Sequence, residues 1–334
     1  MTWLVWRRQR AALLTAASLV AVFAVVLVAA RHDLVTFLRE YGVDEACFET
    51  VTPVCRQRTP SPFAVDLPWA YGPFWGLSRS ALLITPLTLG LVAGAGLFRR
   101  ERDEGTDVLA LTQSTTVTRW WATGLLVAGI PVAVLSGLLG ALAQWAYAPF
   151  SLIVYPYSPL ESPLFGTSGI VPIAYTLLAF TLAAGTGLVA RGSLAPVVVA
   201  VVGYSVVMFV LTVYAREHYL PAVVVHLEAD PDGEFPRTSG TWELGRRLLD
   251  DQGNRHHPTE CEPTELSGQC YQRLGVTEAE VRTQPDSRYW AFQLIETAIL
   301  LALSAVHLAL THPRFVARLR EKPRFGLSTA GGSR

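Results

Sequence analysis

The sequence predicts an all-α, polytopic membrane protein with six transmembrane helices, and three observations carry that expectation. Of 334 residues, 51% are hydrophobic and 16% charged, where a soluble domain carries about 25% charged residues. Mean hydropathy is +0.34. Several apolar runs reach about 20 residues, the length that crosses roughly 30 Å of hydrocarbon.

The first span is expected at residues 11–30, behind Arg7, Arg8 and Arg10. It exceeds a signal-peptide core of about 7–15 residues and no small-x-small cleavage site precedes Arg31, so it reads as a retained span. The second covers 80–98, with Pro86, Gly90, Gly94 and Gly96, and the third 121–146, with Pro131. Gly90-x-x-x-Gly94 offers a face for close helix packing, inside the chain or across a dimer seam. The fourth and fifth, 169–190 and 194–215, are separated by Arg191, Gly192 and Ser193 and form a tight hairpin. The sixth covers 289–310.

Charge orients these spans. With the N-terminus in the cytoplasm, inside segments hold 14 basic and 5 acidic residues and outside segments 13 basic and 21 acidic, leaving Glu296 within a span. The excess of arginine in short inside segments follows the positive-inside rule, so both termini are expected in the cytoplasm. Trp3, Trp6, Trp120 and Trp121 then fall at the inner interface, and Trp69, Trp75, Trp145 and Trp290 at the outer one.

Two long loops, 31–79 and 216–288, are left outside, and they hold all four cysteines: Cys47 and Cys55, Cys261 and Cys270. An oxidising exterior makes two disulfides the natural reading, with pairing inside each loop preferred among three connectivities. A zinc site near His256 and His257 is the competing idea, without the usual C-x-x-C spacing. Basic and acidic residues number 27 each, which excludes a basic nucleic-acid surface. The one lysine, Lys322, precedes Pro323, so no G-x-x-x-x-G-K-[ST] phosphate loop is expected in this chain.

Between spans two and three runs Arg100-Glu101-Arg102-Asp103-Glu104-Gly105-Thr106-Asp107-Val108-Leu109-Ala110-Leu111-Thr112-Gln113-Ser114, and Arg119-Trp120-Trp121 follows. By itself this is a short amphipathic helix at the membrane surface or a solvated connector. Its pattern R-E-x-x-x-G-T-x-x-L-A-x-T-Q-S, followed by R-W, resembles the cytoplasmic loop after the second span in actinobacterial ABC transporter permeases of the ABC-2 type. Arg288-Tyr289-Trp290-Ala291-Phe292-Gln293-Leu294-Ile295-Glu296 is similar to the R-x-W-x-F-Q-x-I-E opening of their last span. Weaker similarities are Arg7-Arg8-Gln9-Arg10 and Gly169-Ile170-Val171-Pro172. The outer loops match no known pattern.

The resemblance implies a single ABC-2 transmembrane domain over 1–334, with 99–120 as a coupling loop on a separate ATP-binding subunit. It implies a second permease subunit, identical or related, and an exported substrate the sequence does not name. Arg100, Glu101, Glu104, Gly105, Thr106, Leu109, Gln113 and Ser114 would make the coupling contact. ATP and magnesium would belong to the partner, with no cofactor, metal or catalytic residue here and the plasma membrane as location.

Within the sixth span, Glu296 is costly unless paired or facing water, so it is expected to point into the bundle or a dimer cavity, near Gln293. A proton-coupled secondary transporter using Glu296 and a non-transporting anchor or signalling subunit are the rival readings. A rhomboid-like serine protease using Ser168, in Gly166-Thr167-Ser168-Gly169, would need His307. Eighteen residues, about 27 Å, separate Tyr289 at the outer boundary from His307, too far for a nucleophile and its base.

Overall fold

The computed structural model describes residues 2–40, 42–49, 55, 67–99, 116–152, 158–190, 192, 194–230, 233, 235–236, 240–257, 260–261 and 267–312. Six helices among them are long and apolar enough to cross a membrane. They are α1 (Thr2–Glu40), α2 (Leu67–Gly94), α3 (Val117–Tyr147), α4 (Val171–Val189), α5 (Ala195–Val210) and α6 (Tyr289–Thr311).

α1 runs well past the expected 11–30 at both ends, and the reason is its pattern. Leu27, Ala30, Leu34 and Leu38 are buried at helical spacing, and Asp33, Arg39 and Glu40 occupy the exposed faces, so an amphipathic turn-by-turn continuation extends the apolar run. Arg31, expected in the outer loop, is instead 8% exposed. Its guanidinium lies 4.1 Å from the Trp145 ring centroid and donates to the carbonyls of Trp145 (2.5 Å) and Phe48 (3.1 Å), which fastens α1 to the end of α3.

α4 is the central helix and packs on α2, α3, α5 and α6. Glycine allows the closest of these approaches. A Cβ on Gly90 would lie 2.5 Å from Ala179 Cβ and 2.6 Å from the Phe180 nitrogen, so the Gly90-x-x-x-Gly94 face serves packing within the chain. Polar side chains add inter-helix bonds: Ser136 of α3 donates to the Pro172 carbonyl (2.9 Å) and accepts from Thr176 of α4 (2.8 Å). In a lipid surround such packing and hydrogen bonds take the place of hydrophobic burial. α4 and α6 run parallel, with Gly169 against Gln293 and Gly185 against His307. Trp120, expected at an interface, is buried against Phe98, ring centroids 5.1 Å apart.

The all-α expectation fails between α5 and α6. There the chain builds a four-stranded antiparallel sheet from β1 (Val223–Glu228), β2 (Thr241–Asp250), β3 (Arg255–His256) and β4 (Val276–Pro285), in the order β1-β4-β2-β3. The cause is a period of two in β4: Ala279, Val281 and Thr283 are buried, while Arg282 is exposed and Glu278 and Glu280 are half-exposed. Phe235, Leu248, Val276, Ala279 and Val281 form its small core.

Both disulfides are present, Cys47–Cys55 and Cys261–Cys270, each with Cα atoms 5.6 Å apart. The second bond secures the helix Ser267–Arg273, whose Tyr271 packs on Phe235.

Candidate functional site

Where α4, α5 and α6 approach the sheet, the bundle encloses a charged network. α5 passes at Leu211–Ala215 into a π-helical turn and then a 3-10 turn, Arg216–His218. A π turn widens the helix and rotates the residues beyond it, and the first of these, Arg216, is turned into the bundle at 1% exposure. Its Nε donates to Glu296 Oε2 (3.0 Å) and its Nη2 to Glu296 Oε1 (2.9 Å). Glu296 lies seven residues into α6, about 10 Å from its start, and is fully buried.

Two tyrosines complete the carboxylate's shell. Tyr175 of α4 donates to Oε1 at 2.8 Å and Tyr219 to Oε2 at 3.0 Å, so four donors meet one carboxylate. The guanidinium is also stacked 4.2 Å from the Phe165 ring centroid. Bidentate geometry, full hydrogen bonding and a cation–π contact are the conditions under which a buried ion pair offsets the large cost of dehydrating both charges. The pair joins α6 to the end of α5, and Tyr175 joins both to α4.

One turn before Glu296, Gln293 performs a separate task. Its Oε1 accepts from the Ile170 and Val171 nitrogens, both at 2.9 Å. Its Nε2 donates to the carbonyls of Phe165 and Ser168, both at 3.2 Å. The amide thus satisfies the free N–H groups at the start of α4, which has no side-chain cap of its own. The conformation of Gly169 (φ +72) makes room for it: a Cβ there would lie 2.6 Å from Gln293 Oε1.

Gln293 and Glu296 are therefore both buried polar groups within the bundle, yet they do not bond to each other, and Glu296 is paired with Arg216. Sequence reasoning placed Arg216 in the outer loop and missed Tyr175 and Tyr219. The available signal was the lone acid itself, which calls for a base at similar depth, and Arg216 is the first charged residue after the fifth apolar run. Ser168 and His307 are not brought together. The Ser168 hydroxyl bonds the Leu164 carbonyl (2.9 Å) and the Tyr289 hydroxyl (3.1 Å), whereas His307 lies against Gly185. All eight coupling residues, from Arg100 through Glu101, Glu104, Gly105, Thr106, Leu109 and Gln113 to Ser114, lie outside the described residues. Among the described residues no group of histidine, cysteine or carboxylate side chains could hold a metal ion.

Residues 17–216 match the family model described as ABC-2 membrane transporter related. The match takes in α2 to α5 and most of α1, and ends on Arg216. No curated protein and no solved structure matches the chain.

Proposed function

Since the chain belongs to the ABC-2 membrane transporter related family and is a multi-pass membrane protein, we propose that it is the permease subunit of an ATP-binding cassette exporter. The observation that carries this reading is the family match over more than half of the chain, coinciding with five of its six apolar helices. In this reading both termini face the cytoplasm of the plasma membrane, and residues 31–79 and 216–288 face outward. The chain spans 1–334 as one transmembrane domain and works beside a second permease subunit, identical or related.

ATP and magnesium are bound by a separate ATP-binding subunit, which docks on the loop 99–120. Glu101 and Glu104 with Arg100 supply a polar docking face, and Gly105, Thr106, Leu109, Gln113 and Ser114 belong to the same contact. Because this loop joins α2 to α3, closure of the ATP-binding subunits displaces both helices together. α2 packs along the central helix α4, so the displacement reaches the helices tied by Arg216, Glu296 and Tyr175 and shifts the bundle between its two open states.

Charge reversal tests the coupling. Glu101→Arg with Glu104→Arg is expected to lower recovery of the co-purifying ATP-binding subunit about tenfold, equivalent to about 1.4 kcal/mol, with membrane insertion unchanged because the inside becomes more positive. Co-purification and stimulated ATPase activity are measured at equal abundance of the two proteins. Both signals unchanged, here and with Gly105 and Thr106 replaced, would remove the docking assignment.

A further inference from the structure

At the sheet-bearing end, the end of α3, the segment 159–168 that leads into α4 and the start of α6 leave a cavity of about 330 Å³ between them, at the lower limit of small-molecule sites. Its lining is aromatic and acidic: Tyr147, Tyr289 and Trp290, with Asp286 at one side and Leu164 and Ser168 deeper in. The rings of Tyr289 and Trp290 have centroids 5.3 Å apart and planes 75° apart, so they meet as a corner. Trp290 is 54% exposed, while the Tyr289 hydroxyl is held by Ser168 at 3.1 Å. One wall is thereby fixed by a hydrogen bond and the other is exposed.

Two carboxylates, Asp286 and Glu161, and one guanidinium, Arg79, act at this corner. Asp286 Oδ1 accepts from Ser158 at 2.5 Å. Glu161 stands close enough that burial first, and the Asp286 charge second, push its carboxyl above the ordinary carboxylate range, with Glu243 adding in the same direction and Arg79 opposing. Arg79 is directed at the rings of Tyr147 (5.9 Å) and Phe150 (5.4 Å). Arg288 donates to Pro221 and Gln284, on the sheet side. Among the described residues that line the cavity none is basic.

Aromatic faces attract a cation through their quadrupole, and a neighbouring carboxylate adds Coulomb attraction. Leu164 and the indole provide apolar surface for an organic substituent. We propose that this cavity is a binding site for organic cations carrying an aromatic or alkyl group, with the charged nitrogen in the Tyr289–Trp290 corner beside Asp286. Occupancy requires no ATP-binding partner, so the site stands or falls separately from the transport reading.

The test uses the full chain in lipid nanodiscs without nucleotide, titrated by saturation-transfer NMR and corrected with empty nanodiscs. Phenyltrimethylammonium is expected to bind saturably, at least about tenfold more tightly than benzenesulfonate, with methyl glucoside not binding. Trp290→Ala should weaken the cation about fivefold and Trp290→Phe should restore most of that, since a π face returns. Asp286→Asn should weaken it about tenfold. Should Asp286→Asn misfold through its bond to Ser158, the Trp290 pair decides, because that side chain is largely exposed. Equal binding of cation and anion, preference for the sugar, or cation binding unchanged in Trp290→Ala overturns the proposal.

Discussion

Inside the bundle, Arg216 and Glu296 are 1% and 0% exposed and share two hydrogen bonds. On the sheet, His256 stands between Glu260 (3.1 Å) and Asp250 (3.4 Å), with 19% of its own side chain exposed. Each cluster sets a cation against carboxylate, but solvent makes them different devices. In the bundle neither charge can find water if its partner leaves, so the pair is held or lost as a unit. At the rim of the sheet each group can be rehydrated, and its contacts respond to pH and salt instead.

The largest effect should come from cutting the buried pair on one side. Arg216→Ala leaves the Glu296 carboxylate with only Tyr175 and Tyr219 and should cost about 3–5 kcal/mol, read from unfolding of the purified protein in bicelles. A loss below about 1 kcal/mol would mean that water reaches the pair, and the contrast with the sheet would vanish.

A smaller loss is expected when both charges go. Arg216→Met combined with Glu296→Leu removes the dehydration cost together with the attraction, leaving two tyrosine hydroxyls without their acceptor. The double variant should lie about 1–3 kcal/mol below wild type, nearer to it than either single change. If the double variant were instead the least stable, the pair would be an ordinary sum of contacts.

The smallest effect belongs to the sheet. Glu260 first, and Asp250 after it, raise the His256 pKa above the ordinary histidine value. This stabilisation is complete below about pH 6.5 and is lost as pH rises through the raised value. Asp250 is pulled down to about 2, chiefly by the Asn254 side chain, and Glu260 is lowered chiefly by the His257 backbone N–H. Their contribution is present above the ordinary carboxylate values and falls away in stronger acid. Protection from hydrogen exchange across 241–285, taken relative to the intrinsic exchange rate at each pH, should therefore be greatest between about pH 4.5 and 6.5. His256→Gln should flatten the alkaline side alone, and salt should weaken the whole profile while leaving the bundle unaffected.

The spans could be located from the sequence because a run of about 20 apolar residues has few other uses. Their ends were harder: α1 continues to Glu40 on an amphipathic pattern, and α2 begins at Leu67 and ends at Gly94. The sheet was hidden because β4 alternates Glu278, Glu280 and Arg282 with small or medium residues, so nothing in it resembles a membrane span and its mean hydropathy reads as loop. Glu296 could be singled out as a lone charge in an apolar helix. Arg216 carried a weaker signal, as the first charged residue after the fifth apolar run, but its inward turn depends on the π turn of 211–215, and one turn of backbone geometry is not written in hydropathy. Local pairing of the cysteines followed from short separations of 8 and 9 residues, which favour the nearest partner by loop-closure entropy.

α1 has 39 residues and is therefore about 58 Å long, nearly twice the hydrocarbon thickness. A rod of that length is a lever arm. Its far end is fastened through Arg31 to the Trp145 and Phe48 carbonyls, close to the Cys47–Cys55 bridge. A tilt of about 10° about that fastening would swing the arginine-rich end near Thr2 by several ångströms. A tilt of α1 is thus carried along its length as a rigid displacement, with no break in the helix between Thr2 and Glu40.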